Sequence, residues 1–234
     1  MMLIKGLQKT TLIDYPGEIA CTIFLFGCNL RCGFCHNPEL VVDDGSRAYD
    51  EKEVLDFLEN RRKYLDGVCI TGGEPLVCLD IEFVRKIKDM GYKVKIDTNG
   101  SFPDKLKLLV DEKLVDYVAM DIKAGRQKYE EVVNSPVNLD KIEKSIKIIS
   151  NLEDYEFRTT ILPRLHDEDE IKKMMEWLRS LIHYDMKKFY LQGFKNNGKF
   201  VGKGFEMERD VGEDYLHRLK AVVEEYFEGV GVRV

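Results

Sequence analysis

Three cysteines, Cys28, Cys32 and Cys35, lie within eight residues of the chain. They follow a short apolar run and stand among glycine and asparagine, which is typical of a loop. Thiolates are soft ligands that select zinc, copper(I) or iron–sulfur clusters. When three thiolates hold a four-iron cluster, one iron stays open to a further ligand. The spacing therefore predicts a metal centre on a loop, with the open iron as the point at which chemistry takes place.

A structural zinc site, made by these three cysteines and His36, is the alternative. Zinc binds its ligands in a tetrahedron, which the adjacent side chains of Cys35 and His36 would share with difficulty. No second pair of ligands follows in the sequence. The other cysteines, Cys21, Cys69 and Cys78, have no ligand-like spacing, and the first two lie in or beside apolar runs. We interpret them as small buried side chains.

Polar residues also follow later apolar runs. Thr71-Gly72-Gly73-Glu74-Pro75 ends the second run, where two glycines let the backbone approach a ligand closely and Glu74 can accept from a cation. Asp97-Thr98-Asn99-Gly100 ends the third run, and Asp121-Ile122-Lys123 ends the fourth. Arg158 lies inside the fifth run, and its guanidinium suits bidentate carboxylate binding. The alternatives are turn caps and solvated loop charges, or a structural ion pair for Arg158.

The elements that must position these residues are short strands alternating with amphipathic helices. The predicted strands are Cys21–Phe26, Val68–Ile70, Lys93–Ile96, Tyr117–Met120, Phe157–Leu162 and Lys188–Leu191. The predicted helices are Glu51–Leu58, Ile81–Met90, Pro103–Val110, Leu139–Ile149, Ile171–Leu178 and a last one marked by Leu216, Leu219, Val223 and Tyr226. This alternation predicts an α/β fold with a parallel sheet, in which ligands bind at the carboxyl ends of the strands.

Composition and charge narrow the class of protein. The 234 residues are 44% hydrophobic and 33% charged, which predicts one folded domain over residues 1–234. The net charge of −6 and the lack of a basic stretch argue against nucleic acid as a partner. The N-terminal residues lack an apolar signal region, and no run approaches a membrane span. We expect a cytoplasmic protein whose cysteines are reduced.

The cysteine motif resembles C-x3-C-x-aromatic-C of the radical S-adenosylmethionine (SAM) superfamily, with Phe34 as the aromatic residue. The resemblance implies a partial (β/α)6 TIM-like barrel of the radical SAM type. It also implies that Cys28, Cys32 and Cys35 hold a [4Fe–4S] cluster that reductively cleaves SAM to a 5′-deoxyadenosyl radical. In such proteins the GGEP element binds the methionine amino group, and a basic residue at the position of Arg158 faces its carboxylate. The residues implied at the cofactor are Phe34, His36, Gly72, Gly73, Glu74, Asp97, Thr98, Asn99, Asp121, Lys123 and Arg158.

A finer resemblance concerns the segment from Gly6 to Gly17 and the run Cys35-His36-Asn37. Both are similar to segments of glycyl-radical-enzyme activating proteins, above all those of anaerobic ribonucleoside-triphosphate reductase. This implies hydrogen abstraction from a glycine of a partner protein, with flavodoxin or ferredoxin as the low-potential electron donor. A radical SAM enzyme acting on a small metabolite or cofactor precursor is the first alternative, and a non-catalytic zinc-binding module is the second. Whether Asp97 and Asp121 hold a monovalent cation stays open.

Overall fold

The structure is a computed structural model that describes residues 2–43, 45–182 and 186–234. The predicted strand Lys188–Leu191 falls within these ranges. His183, for which the sequence indicates no catalytic role, lies outside them. The chain divides into two compact units. Unit 1 comprises Met1–Asn29, Asn37–Thr98 and Asp104–Val118, and unit 2 comprises Leu30–His36, Asn99–Pro103 and Ala119–Val234. A single domain over the whole chain stays a prediction.

Eight strands occur in the described ranges. They are β1 Ile4–Thr11, β2 Ala20–Leu25, β3 Gly67–Gly72, β4 Lys93–Thr98, β5 Tyr117–Asp121, β6 Tyr155–Ile161, β7 Met186–Gly193 and β8 Phe227–Arg233. The six predicted strands correspond to β2 through β7. The prediction missed β1, which contains Gly6 and ends in four consecutive polar residues, and β8, whose Gly229 and Gly231 weaken the strand signal.

The α-helices are α1 Glu51–Arg61, α2 Ile81–Asp89, α3 Pro103–Asp111, α4 Tyr129–Val133, α5 Leu139–Ile149, α6 Glu168–Leu181 and α7 Glu213–Val223. Asp50, Asp80, Asn138 and Asp167 accept backbone N–H bonds as N-caps of α1, α2, α5 and α6. The prediction missed the five-residue α4 and placed Tyr226 in the last helix, which ends at Val223. The other predicted helices are confirmed with shifts of a few residues at their ends.

In unit 1, β2 pairs with β3 and β3 pairs with β4, both in parallel. β1, which is not among the predicted strands, runs antiparallel to β2. The register aligns Leu25 with Gly72 at the carboxyl ends of β2 and β3. Parallel pairing therefore brings the residues that follow these two strands to the same edge.

In unit 2, β6 pairs with β7 and β7 pairs with β8, again in parallel. The register aligns Arg158 with Tyr190, and Gln192 with Arg233. The backbone N–H of Ile122 donates to the Arg158 carbonyl at 2.8 Å, so the segment after β5 lies beside β6. Phe157 and Phe189, both fully buried, belong to the apolar core beneath these strands.

Candidate active site

Cys28 lies in unit 1, on the loop that follows β2, and is half-buried. The preceding residue, Gly27, has a φ of +103°, a backbone conformation that residues other than glycine rarely adopt. Its N–H donates to the Leu40 carbonyl at 2.8 Å, and its carbonyl accepts from the Glu74 N–H at 2.7 Å. The loop that carries Cys28 is thus bonded directly to the Gly-Gly-Glu segment at the carboxyl end of β3.

Gly72 and Gly73 permit this close approach. A Cβ on Gly72, whose φ is +140°, would lie 2.0 Å from the Leu25 carbonyl oxygen. A Cβ on Gly73 would lie 2.4 Å from the carbonyl oxygen of Gly27. Both contacts involve backbone atoms, which cannot rotate away, so the two positions require glycine.

Glu74 is fully buried, and its carboxylate is held in place by two donors. Its Oε1 accepts from the Leu76 N–H at 3.1 Å and from the Thr98 hydroxyl at 2.8 Å. Thr98 is itself buried, at the end of β4. The structure therefore brings Cys28, Gly72, Gly73, Glu74 and Thr98 together at one edge of unit 1.

Asp97, the other predicted residue of β4, pairs with a lysine that the sequence analysis did not single out. Lys95 is only 2% exposed, and its ammonium forms an ion pair with the Asp97 carboxylate. The Cys69 thiol lies 3.8 Å from both the Lys95 Nζ and the Asp97 Oδ1. Residues two apart on a strand share a face, so the Lys95–Asp97 pair was readable from the sequence.

The other two motif cysteines lie in unit 2, together with Phe34 and His36. Cys32 is buried, Cys35 is half-buried, and the Cys35 N–H donates to the Cys32 carbonyl at 3.1 Å. The Phe34 ring lies 6.2 Å from that of Phe205. The segment after β7 therefore packs against this part of the motif.

His36 belongs to the same aromatic cluster. Its ring lies 5.4 Å from that of Phe194 and 5.6 Å from that of Phe200. Burial lowers the pKa of His36, and the nearby charge of Lys123 lowers it further. The His36 ring packs against Phe194 and Phe200 in this structure, and a role toward the cofactor stays a prediction.

Asp121, Lys123 and Arg158 form one cluster in unit 2. The Arg158 Nε lies 2.8 Å from the Asp121 Oδ1, and the Lys123 Nζ lies 3.2 Å from Oδ2, so each carboxylate oxygen faces one cation. Burial alone would raise the pKa of the Asp121 carboxyl, but the charges of Arg158 and Lys123 hold it well below its usual range. Two cations on one carboxylate leave one net positive charge, which favours an anionic ligand.

Two further residues extend this cluster and were missed by the sequence analysis. Glu156, 1% exposed, accepts from the Arg233 guanidinium in a bidentate pair at 2.7 and 2.8 Å, and it lies 3.8 Å from the Arg158 Nη1. The Arg233 guanidinium stacks 3.7 Å above the Tyr190 ring. Glu156 and Arg158 share a strand face, which the sequence could indicate. Arg233 is 77 residues from Glu156, and no local pattern signals that pair.

Asn99 lies in unit 2 in a turn. Its side-chain oxygen accepts from the Ser101 N–H at 3.0 Å, which is the local turn bond that asparagine commonly makes. A role for Asn99 at the cofactor stays a prediction.

The surroundings of Cys32 affect how readily its thiol loses a proton to bind a metal. Burial raises the pKa of Cys32 to about 11, while the charge of Lys123 lowers it. Metal ions bind thiolates and displace their protons, and the Lys123 charge assists that loss. Within the described ranges, no three His, Cys, Asp or Glu side chains are grouped as ligands of a single metal ion.

Comparison with known proteins decides the family. The profile of the radical SAM superfamily matches residues 22–178, which include all three motif cysteines. The chain belongs to the radical SAM superfamily. The prediction of its family is thereby confirmed.

Relatives in this superfamily narrow the type of enzyme. One is a Methanocaldococcus jannaschii protein whose name assigns it provisionally to the glycyl-radical enzyme activating enzymes, 36% identical over 197 residues, or 80% of each chain. The pyruvate formate-lyase-activating enzyme of Listeria monocytogenes is 27% identical over 192 residues, or 76% of each chain. The chain is thus a radical SAM enzyme related to proteins that carry the activating-enzyme name.

A solved structure confirms the predicted fold class. Streptococcus suis SuiB bound to S-adenosylmethionine matches with a TM-score of 0.62 at 17% identity, over 92% of this chain and 46% of SuiB. The radical SAM fold of a partial α/β barrel is therefore confirmed. In the described part of the chain, no helix has the length and apolar character needed to cross a membrane.

Radical SAM enzymes use a [4Fe–4S] cluster and SAM, and the residues present fit these groups. Each thiolate of a cluster binds its own iron, so the three cysteines need not converge on one ion. The backbone at Gly72 and Gly73 leaves no room for a side chain, so the segment before Glu74 packs directly against the backbone of Leu25 and Gly27. The cationic excess around Asp121 suits a carboxylate, and the buried Glu74 carboxylate suits an ammonium group.

Proposed function

We propose that this radical SAM enzyme activates a glycyl-radical enzyme. The cluster and SAM supply one-electron reductive cleavage of the sulfonium, which yields methionine and a 5′-deoxyadenosyl radical that takes a hydrogen atom from a glycine of the partner. The three-cysteine motif, in a chain 36% identical to a protein named as such an activating enzyme, is the observation that carries this proposal.

Residues at the edge of unit 1 would bind the amino end of the cofactor. Cys28 supplies one thiolate, and the Gly27–Glu74 backbone bond fixes its loop relative to the Gly72-Gly73-Glu74 segment. The Thr98 hydroxyl and the Leu76 N–H orient the Glu74 carboxylate, which accepts from the methionine ammonium.

Arg158 and Lys123 would bind the carboxylate end of the cofactor, and Cys32 and Cys35 would supply the other two thiolates. Arg158 and Lys123 are both held by Asp121, so their net positive charge faces a ligand from fixed positions. Preorganised charges of this kind bind a carboxylate without the cost of ordering flexible side chains. Phe34, His36, Asp97 and Asn99 are proposed to line the same cofactor site.

A protein partner, with anaerobic ribonucleoside-triphosphate reductase as the candidate, is proposed from the sequence of residues 6–17 and 35–37. A low-potential donor such as flavodoxin or ferredoxin would supply the electron. The cytoplasm is the proposed location.

The test is anaerobic reconstitution with iron and sulfide, followed by dithionite and SAM. Purified anaerobic ribonucleoside-triphosphate reductase is added in one arm and pyruvate formate-lyase in another. A doublet radical signal in electron paramagnetic resonance, located on a partner glycine, is expected in the first arm. A signal in the second arm alone would identify pyruvate formate-lyase as the partner instead. SAM cleavage without a glycyl radical in either arm would favour a small-molecule substrate.

The Asp121→Asn variant tests the proposed binding site. Without the carboxylate, Arg158 and Lys123 lose their common anchor and repel each other. We expect SAM to bind at least about tenfold more weakly in equilibrium dialysis, a change of about 1.4 kcal/mol. The Asp43→Asn variant is the control, since Asp43 forms an ion pair with Lys5 at the surface of unit 1.

A further inference from the structure

Tyr129, the first residue of α4, carries a buried polar group that the proposed function does not use. Its side chain is fully buried, and the ring packs edge-on against Trp177 with a centroid distance of 5.9 Å. Within the described ranges, the hydroxyl has no hydrogen-bond partner in normal geometry. Buried hydroxyls are nearly always bonded, because an unbonded one costs stability. The orphaned hydroxyl therefore indicates a partner from outside the polypeptide.

The position of α4 indicates where this partner lies. The Arg31 N–H donates to the Val133 carbonyl at 3.1 Å, and the Asn134 side chain donates to the Arg31 carbonyl at 3.4 Å. Arg31 immediately precedes Cys32, so the end of α4 is bonded to the cysteine loop. Both elements belong to unit 2.

The polar groups around the phenol are the same ones that surround Cys32. The backbone N–H of Lys123 approaches the phenol oxygen but does not meet hydrogen-bond geometry, and the Lys123 ammonium, the Cys32 thiol and the Asp121 carboxylate also lie near the phenol. Lys123 is already engaged with Asp121 at 3.2 Å. The phenol O–H is a hydrogen-bond donor, and its proton has no acceptor among the described residues.

We propose that the Tyr129 hydroxyl donates a hydrogen bond to sulfur on the Cys32 side of the iron–sulfur cluster, either the Cys32 thiolate or a sulfide. The inference rests on the proposed function, because it needs a cluster held by Cys32. Reduction adds a negative charge to the cluster, and a hydrogen-bond donor stabilises that charge. Hydrogen bonds to sulfur are among the features that set the reduction potential of such clusters. Tyr129 thus makes the cluster easier to reduce.

The test compares Tyr129→Phe with the wild-type protein, since this substitution removes only the hydroxyl and keeps the ring contact with Trp177. Tyr155→Phe is the matched control. Tyr155 is also a buried tyrosine of unit 2, but its hydroxyl accepts from the Lys187 N–H at 3.4 Å. All three proteins are reconstituted anaerobically, assayed for iron and sulfide, and titrated with reductant while the reduced cluster is followed by electron paramagnetic resonance.

We expect equal iron content in the three proteins and a more negative midpoint potential in Tyr129→Phe alone. Cluster loading should also raise the thermal midpoint less in Tyr129→Phe than in the wild type, because the hydroxyl gains its partner only in the loaded protein. An unchanged potential with a complete cluster would overturn the inference and leave the proposed function standing. If the wild type itself takes up no cluster, both proposals fall.

Discussion

Replacing Arg233 with methionine tests the charge cluster of unit 2 most sharply. Methionine keeps an apolar stem over Tyr190 and removes the charge that pairs with Glu156. The Glu156 carboxylate, 1% exposed, would keep Arg158 at 3.8 Å as a cationic neighbour but would lose two hydrogen bonds. Removing one partner of a buried ion pair costs about 3–5 kcal/mol. Arg233 is 35% exposed, so we reduce the expected loss to about 2–3 kcal/mol.

The assay is urea unfolding of the cluster-free protein at pH 7, followed by circular dichroism. Arg47→Met is the matched control, because Arg47 also bonds both oxygens of a glutamate, Glu53, but at an exposed site. That pair should contribute less than about 1 kcal/mol. The double variant Glu156→Leu with Arg233→Met should be more stable than Arg233→Met alone, because no buried carboxylate is left without its bidentate guanidinium partner. If Arg233→Met lowers the free energy of unfolding no more than Arg47→Met does, the buried Glu156–Arg233 pair does not stabilise the fold as expected.

Two other predictions concern the backbone at the site and a buried histidine. Gly73→Ala should cost about 2 kcal/mol or more in urea unfolding and lower the iron content after reconstitution, since its Cβ would lie 2.4 Å from the Gly27 carbonyl oxygen; Gly212→Ala, with no atom within 4 Å of the new Cβ, should change neither. Burial lowers the pKa of His166 from 6.5 to about 4, and its ring accepts a backbone N–H and donates to the Lys123 carbonyl. The folded state thus binds fewer protons than the unfolded state between these pH values, so stability should fall by about 2 kcal/mol from pH 7 to pH 5. The His166→Gln variant should lose less stability between pH 7 and pH 5 than the wild type. An equal loss in both proteins would show that His166 is not the cause of the pH dependence.

The cysteine motif and most elements around it were predictable because their signals are local. The spacing of Cys28, Cys32 and Cys35 needs no tertiary information, and apolar runs of period 2 or 3.6 mark β2 through β7 and most helices. The glycines at the end of β3 were equally readable, because a Gly-Gly pair at a strand end indicates a close backbone approach, and Gly72 and Gly73 make such contacts.

The parts that were missed depend on contacts between distant residues or on weak local patterns. Arg233 meets Glu156 only because β6 and β8 flank β7. β8 contains two glycines, and α4 is too short to show helical periodicity. The unbonded hydroxyl of Tyr129 could not be foreseen, because an aromatic residue on an apolar helix face ordinarily indicates packing.

Cofactor cleavage by the cysteine variants tests the central claim most directly. The wild type, Cys28→Ala, Cys32→Ala, Cys35→Ala and the control Cys78→Ala are reconstituted anaerobically and reduced with dithionite in the presence of SAM. We predict methionine and 5′-deoxyadenosine from the wild type and from Cys78→Ala, and neither product from the three motif variants, because three-point attachment requires every thiolate. Uptake of zinc in place of iron, with no cleavage by the wild type, would contradict the account.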